Sequence, residues 1–151
     1  MDDIRTQLNC FFDSWQRLDA IYEEYARAHG LSYTGLVVLY YIYMAKEEEC
    51  TQKFLCEKTL LPKQTINSAV KVLLKQSIIR LEETGSDRRK KYIVLTEKGE
   101  ALCQETMIPL DKAELEAVGR INPHKWHILT ETIDKFATVL GEEIKNRNEN
   151  I

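Results

Sequence analysis

Ile4, Leu8, Phe11, Trp15, Leu18, Tyr22 and Tyr25 follow one another at steps of 4, 3, 4, 3, 4 and 3. That spacing predicts a long amphipathic helix with a coiled-coil-like seam, widened by Phe12 and Ile21 and ending at Gly30. Residues 36–44 are apolar almost all round, which predicts a buried helix capped by Ser32. Thr51 is placed to cap a short helix reaching about Thr59. Pro62 fits the first turn of another, with Ile66, Ala69, Val70, Leu73 and Leu74 on its inner face and its end near Ser77. The period then changes. IIRLEET and KKYIVLT read as two strands of a hairpin around Gly85, Ser86 and Asp87. Thr96 caps the following helix, whose apolar residues are Ala101, Leu102, Met107 and Ile108; Pro109 is expected to kink or interrupt it. Asn122-Pro123 starts a last helix with a stripe of Trp126, Leu129, Ile133, Phe136, Leu140 and Ile144.

Three helices followed by a hairpin make a winged helix-turn-helix pattern, so the fold class is mainly α with a small β-hairpin wing. We bound the winged helix-turn-helix domain at 31–96, with long helical regions at 1–30 and 97–151. A chain of 151 residues suits one domain, with or without arms. Its 44% hydrophobic and 30% charged residues suit a packed chain rather than a disordered one. The run Leu36 to Ala45 is too short to span a bilayer, so no membrane association is expected. The polar start MDDIRTQLN does not read as a signal peptide, and a cytoplasmic location is the default. Cysteines at 10, 50, 56 and 103 lack CxxC spacing and read as free thiols in a reducing compartment.

Charge changes the picture. The chain carries a net −3, yet Lys58 to Leu81 contains no Asp or Glu. A stretch of that length is acid-free by chance roughly 2% of the time. Between 62 and 91, eight basic and three acidic residues leave +5, so the remainder carries −8. Lys63, Gln64, Asn67, Ser68, Lys71 and Lys75 lie opposite the apolar stripe of their helix. Gln and Asn pair with adenine in a major groove, and Lys with guanine or phosphate. Thr65 and Ser68 can bond phosphate or bases, and backbone amides at the helix start favour phosphate. The bland alternative is a solvated helix face. At the hairpin tip, Asp87 and Arg89 share a strand face, so the carboxylate can hold the guanidinium in one pose for a minor groove. Arg88, Lys90 and Lys91 would then sit on phosphates. Past them Tyr92 and Val94 alternate with Ile93 and Leu95 and tie the wing to the body.

These residues resemble the MarR family of transcription regulators. The resemblance rests on LSYTGLVVLYYI, on TQKFLCEKTLLPKQTINSAVKVLLKQSII and above all on DRRKKYIVLTEKGEAL, where D-x-R precedes a strand and LT-x-x-G. It covers residues 31–102 by motif. It implies a homodimer whose first and last helices intertwine, with recognition helix and wing on double-stranded DNA at a pseudo-palindromic operator. The dimerisation residues are then Ile4, Leu8, Phe11, Trp15, Leu18, Trp126, Leu129, Ile133, Phe136 and Leu140. Two positions depart from the family. Ser77 stands where glycine is usual, which costs little if no left-handed cap is needed, and Leu81 stands near a usual arginine.

Family members often respond to a small-molecule effector, a metal or an oxidant. Cys10 lies near the place of the reactive cysteine of family peroxide sensors, with Tyr22 and Tyr33 nearby; the ordinary reading is a buried inert thiol. His124 and His127 are three residues apart, thin support for a metal site and better suited to a capping or surface role. Trp15, Trp126 and the tyrosines at 40, 41 and 43 read as core before they read as a ligand pocket. No cofactor is implied. No nucleophile-base pair, phosphate loop or catalytic carboxylate pair is visible, which argues against an enzyme. The resulting expectation is a ligand-responsive, homodimeric, DNA-binding repressor. The rival is a winged-helix adaptor whose basic face meets an acidic protein without specific DNA binding.

Overall fold

The computed structural model describes residues 2–45, 50–83 and 91–149. They form α1 (Asp2–Ala28), α2 (Tyr33–Met44), α3 (Gln52–Thr59), α4 (Lys63–Lys75), β1 (Ile79–Glu82), β2 (Tyr92–Leu95), α5 (Glu97–Gly119) and α6 (Pro123–Asn148). The chain divides into two compact units, 1–107 and 108–151. The boundary falls inside α5, next to Pro109.

In the first unit each helix starts or stops for a local reason. α1 ends in a left-handed Gly30 at φ 72°, with Leu31 N–H donating to the Ala26 carbonyl at 2.9 Å and Gly30 N–H to that of Arg27 at 3.1 Å. Ser32 caps α2 by accepting from Gly35 N–H at 3.0 Å, and Thr51 caps α3 by accepting from Phe54 N–H at 3.1 Å. α3 stops at Leu60, a left-handed residue whose side chain is 87% exposed. α4 begins at Lys63, so Pro62 occupies the cap rather than the first turn, and no side chain caps it.

The core lies where α2, α3 and α4 meet the hairpin: Val38, Leu39, Leu55, Ile66, Val70, Leu73 and Ile93 are all buried. Two expectations change here. Leu74 is only half-buried, and α2 is not covered all round, since Tyr40, Tyr43 and Met44 are exposed. β1 and β2 pair antiparallel, with Ile79 opposite Leu95 and Leu81 opposite Ile93. The expected alternation along β2 gives way to a strand covered on both faces, because Ile93 and Val94 are both buried. Ile93 N–H also donates to the Cys50 carbonyl at 2.8 Å, so the chain ahead of α3 flanks the hairpin. The turn expected at Gly85 to Asp87 lies outside the described residues.

The end of α4 and the start of α5 are joined through consecutive carbonyls. Lys98 Nζ donates to the Gln76 carbonyl at 2.7 Å. Thr96 Oγ1 donates to that of Ser77 at 2.7 Å, and Thr96 N–H to that of Ile78 at 3.0 Å. Thr96 Oγ1 also accepts from Gly99 N–H at 3.0 Å, as the cap of α5. Gly99 has no room for a side chain, since a Cβ there would overlap the Ile78 carbonyl. Ser77 itself sits at φ 58°, with Ile78 N–H bonded to the Leu73 carbonyl at 3.0 Å. A left-handed cap is therefore required at this position, and serine adopts it at a steric cost that glycine avoids.

α5 runs through Pro109 instead of stopping there. The proline leaves the Glu105 carbonyl without its helical N–H. The buried face of α5 is Gly99, Cys103, Thr106 and Met107, while Ala101 and Ile108 are exposed. Thr106 is the buried polar residue among the described ones; its hydroxyl donates to the Leu102 carbonyl at 2.7 Å, and its carbonyl accepts from Tyr25 Oη at 2.7 Å. In the second unit, Asn122 caps α6 by accepting from His124 N–H at 2.9 Å, and Pro123 opens the helix as expected. No residue of α6 is buried.

Two substitutions test the junction by urea unfolding. Gly99→Ala is expected to destabilise the protein by about 2 kcal/mol or more, because the obstacle is backbone rather than a movable side chain. Ser77→Gly is expected to stabilise it by up to about 1 kcal/mol, the relief of φ strain being partly offset by the greater freedom of glycine in the unfolded chain.

Candidate nucleic-acid interface

α4 presents its polar residues by rotation alone. Successive residues turn about 100°, so positions 64, 68, 71 and 75 align in one stripe opposite Ile66, Val70 and Leu73. Gln64, Ser68, Lys71 and Lys75 are all exposed, as is Lys63 in the first turn. Ser68 Oγ donates back to the Gln64 carbonyl at 3.0 Å, which leaves its lone pairs facing outward. Pro62 gives the first N–H groups of α4 no side-chain acceptor, so they suit an incoming phosphate.

Two of the expected contact residues sit differently. Thr65 is half-buried and lines a groove of about 220 Å³ between the start of α2 and α4, together with Leu31, Ser32, Gly35, Ser68 and Val72. Asn67 is half-buried with its Oδ1 buried and unbonded, so it flanks the stripe rather than crowning it. Lys91 is exposed just before β2. Asp87, Arg88, Arg89 and Lys90 lie outside the described residues, and the Asp87–Arg89 pairing with them. Arg80, counted in the basic segment, has its guanidinium occupied: Nε and Nη2 each meet Glu82 Oε1 at 2.7 Å, and Nη1 donates to the Leu95 carbonyl at 2.9 Å. Nothing in the sequence alone marked this arrangement, because it depends on the strand register.

The two long seams are open. On α1, Ile4, Trp15 and Leu18 are exposed, while Leu8 and Phe11 are half-buried. Phe11 stacks near Phe12 and Trp15, with ring centroids 5.3 and 6.1 Å away. On α6, Trp126, Leu129, Phe136 and Leu140 are exposed, and Ile133 is half-buried.

The thiols divide by burial. Cys10 is exposed, against the expectation of a buried one. Burial pushes the Cys50 thiol up to about 12; burial, with the Glu100 carboxylate adding to it, pushes that of Cys103 up to about 11. Tyr22 and Tyr33 pack with centroids 6.2 Å apart, and burial together with Asp19 raises the pKa of Tyr33. His127 lies 3.3 Å from Glu131 on the surface of α6, and among the described residues no three His, Cys, Asp or Glu side chains gather as a metal site. Tyr40 and Tyr43 are exposed rather than core. No helix among the described residues is long and apolar enough to cross a membrane.

Comparison with known proteins gives the same architecture. A model of the MarR family matches residues 29–90. The regulator SarZ of Staphylococcus epidermidis is 32% identical over 89 residues, 59% of each chain. A MarR family regulator from Neisseria meningitidis is 27% identical, with 93% of this chain and 98% of that one superposed at a TM-score of 0.74. Staphylococcus aureus MepR, solved as a complex with DNA, is 16% identical, with 87% and 96% of the chains covered at a TM-score of 0.73.

Alkylation of the native protein near pH 8, followed by mass spectrometry, is expected to modify Cys10 and to leave Cys50 and Cys103 untouched until urea unfolds the chain. The same thiols set an alkaline limit. Below their unfolded pKa of 9.0 both states hold the proton and the stability of the buried neutral thiols is intact; it is lost as pH rises toward 11 to 12.

Proposed function

We propose that this chain is a winged-helix transcription regulator of the MarR family, to whose model and solved members it is similar, and that it is a sequence-specific, ligand-responsive repressor acting as a homodimer. The family is one of DNA-binding regulators, not of enzymes. The observation that carries the finer reading is the acid-free, exposed stripe of Gln64, Ser68, Lys71 and Lys75 on α4. Amide and hydroxyl groups supply base-edge hydrogen bonds, and the lysines supply phosphate contacts along the same axis. The tip residues Asp87, Arg88, Arg89 and Lys90 extend the basic surface in sequence. Thr65 and Asn67 are supporting contacts at its flanks.

Pairing through the α1 and α6 seams covers apolar residues that the chain alone leaves open. A two-fold dimer then meets two half-sites about one helical turn apart. An effector acts on such a protein only by binding one dimer shape better than another. The solved MepR complex with DNA supports the mode of binding by analogy of fold.

The deciding experiment is fluorescence anisotropy with DNA from upstream of the protein's own gene and a scrambled control, at two salt concentrations. Specific, steeply salt-dependent binding is expected. Lys71→Ala and Lys75→Ala are each expected to lower the slope of log K against log salt by about 1. Arg89→Ala is expected to weaken operator binding without unfolding the protein. Equal, weak binding to both DNAs would favour the adaptor reading.

A further inference from the structure

We propose that Arg80 is a positioning residue that braces the wing for DNA, and not one of its phosphate contacts. The proposal rests on the DNA-binding reading and adds a residue that the charge pattern would misassign. Arg80 stands on β1 opposite Val94, and Glu82 is two residues further along the same strand face. The guanidinium spans the hairpin: two N–H groups meet Glu82 Oε1 at 2.7 Å on its own strand, and a third reaches the Leu95 carbonyl on the other. Leu95 precedes Thr96, the residue that ties the hairpin to the end of α4. One planar side chain thus fixes β1, the last residue of β2 and the junction behind them.

The position matters as much as the residue type. Where the MarR resemblance leads one to look for an arginine, this chain has Leu81, which is paired with Ile93 and 39% exposed. Shifting a side chain by one residue along a strand moves it to the other face. An arginine at 80 therefore cannot take over contacts made from 81. It faces Glu82 and the Leu95 carbonyl instead, and its donors toward them are spent.

As a bare ion pair this contact would count for little, because both side chains are partly exposed. Its value is geometric. A guanidinium delivers these three bonds from one rigid plane, and an ammonium on a flexible stem cannot. The strands it holds lead directly into residues 84–90, which carry Arg88, Arg89 and Lys90. The brace therefore fixes the two described strands that flank this basic segment.

Two charge-conserving or charge-relieving variants separate bracing from contact. Glu82→Gln removes a negative charge near DNA and frees Arg80. If Arg80 touched phosphate, this variant would bind the operator more tightly. The brace predicts the opposite sign, a loss of about three- to tenfold. Arg80→Lys keeps the charge, and the brace predicts a similar loss with the salt slope unchanged. Urea unfolding of both variants confirms that the measured protein is folded. In the wild type without DNA, the Arg80 Nε–H signal in NMR is expected to be protected from solvent exchange, and in Glu82→Gln that protection is lost. Unchanged or tighter operator binding by Glu82→Gln, or wild-type affinity in Arg80→Lys, overturns the proposal. Failure of the wild-type protein to prefer any DNA sinks the regulator reading instead, and the NMR signal still decides whether the brace exists.

Discussion

The carbonyl groups of Gln76, Ser77 and Ile78 are the point on which the winged-helix body turns. They follow directly on α4, between its last turn and β1, and buried carbonyls of such a connection need a donor. Here Lys98 and Thr96 meet all three, and Gly99 lets the backbone of α5 come against Ile78. α4, the hairpin and α5 are thereby fixed to one another. The cost is a serine held in a left-handed conformation. The LT-x-x-G motif is thus mechanical: threonine caps α5 and holds the connection from α4 to β1 with the same side chain, and glycine is demanded by proximity.

Most of this fold was legible from local rules. Ser32, Thr51, Thr96 and Asn122 cap the helices predicted for them, and the seams on α1 and α6 follow their helical spacing. The failures share a cause. Pro109 was expected to kink or interrupt its helix because local geometry disfavours it there; it does not interrupt it, since α5 continues on either side. β2 was read as alternating because one face of a hairpin usually meets water, yet Val94 is covered as well as Ile93. Cys10 was read as a buried thiol, but which face of a helix is buried depends on neighbours far away in sequence. At the interface, the stripe on α4 was legible from periodicity and charge. The half-burial of Asn67 and the engagement of Arg80 were not, since both depend on what packs beside them.

Charge and stability are kept apart in α4. Its inner residues belong to the core, while Gln64, Ser68, Lys71 and Lys75 on the outward stripe are exposed. The basic surface can therefore be varied without disturbing the packing beneath it. The price is a helix start at Pro62 with no side-chain cap, a weakness that suits a site where an anion arrives.

α6 stands at the other extreme. None of its residues is buried. Under the proposed pairing, its seam answers only to the surface that covers it. The residues that choose a partner can then drift independently of those that choose a DNA sequence. A genome holding several related regulators could keep them from mixing by altering this helix alone, leaving each one's reading of its operator as it was.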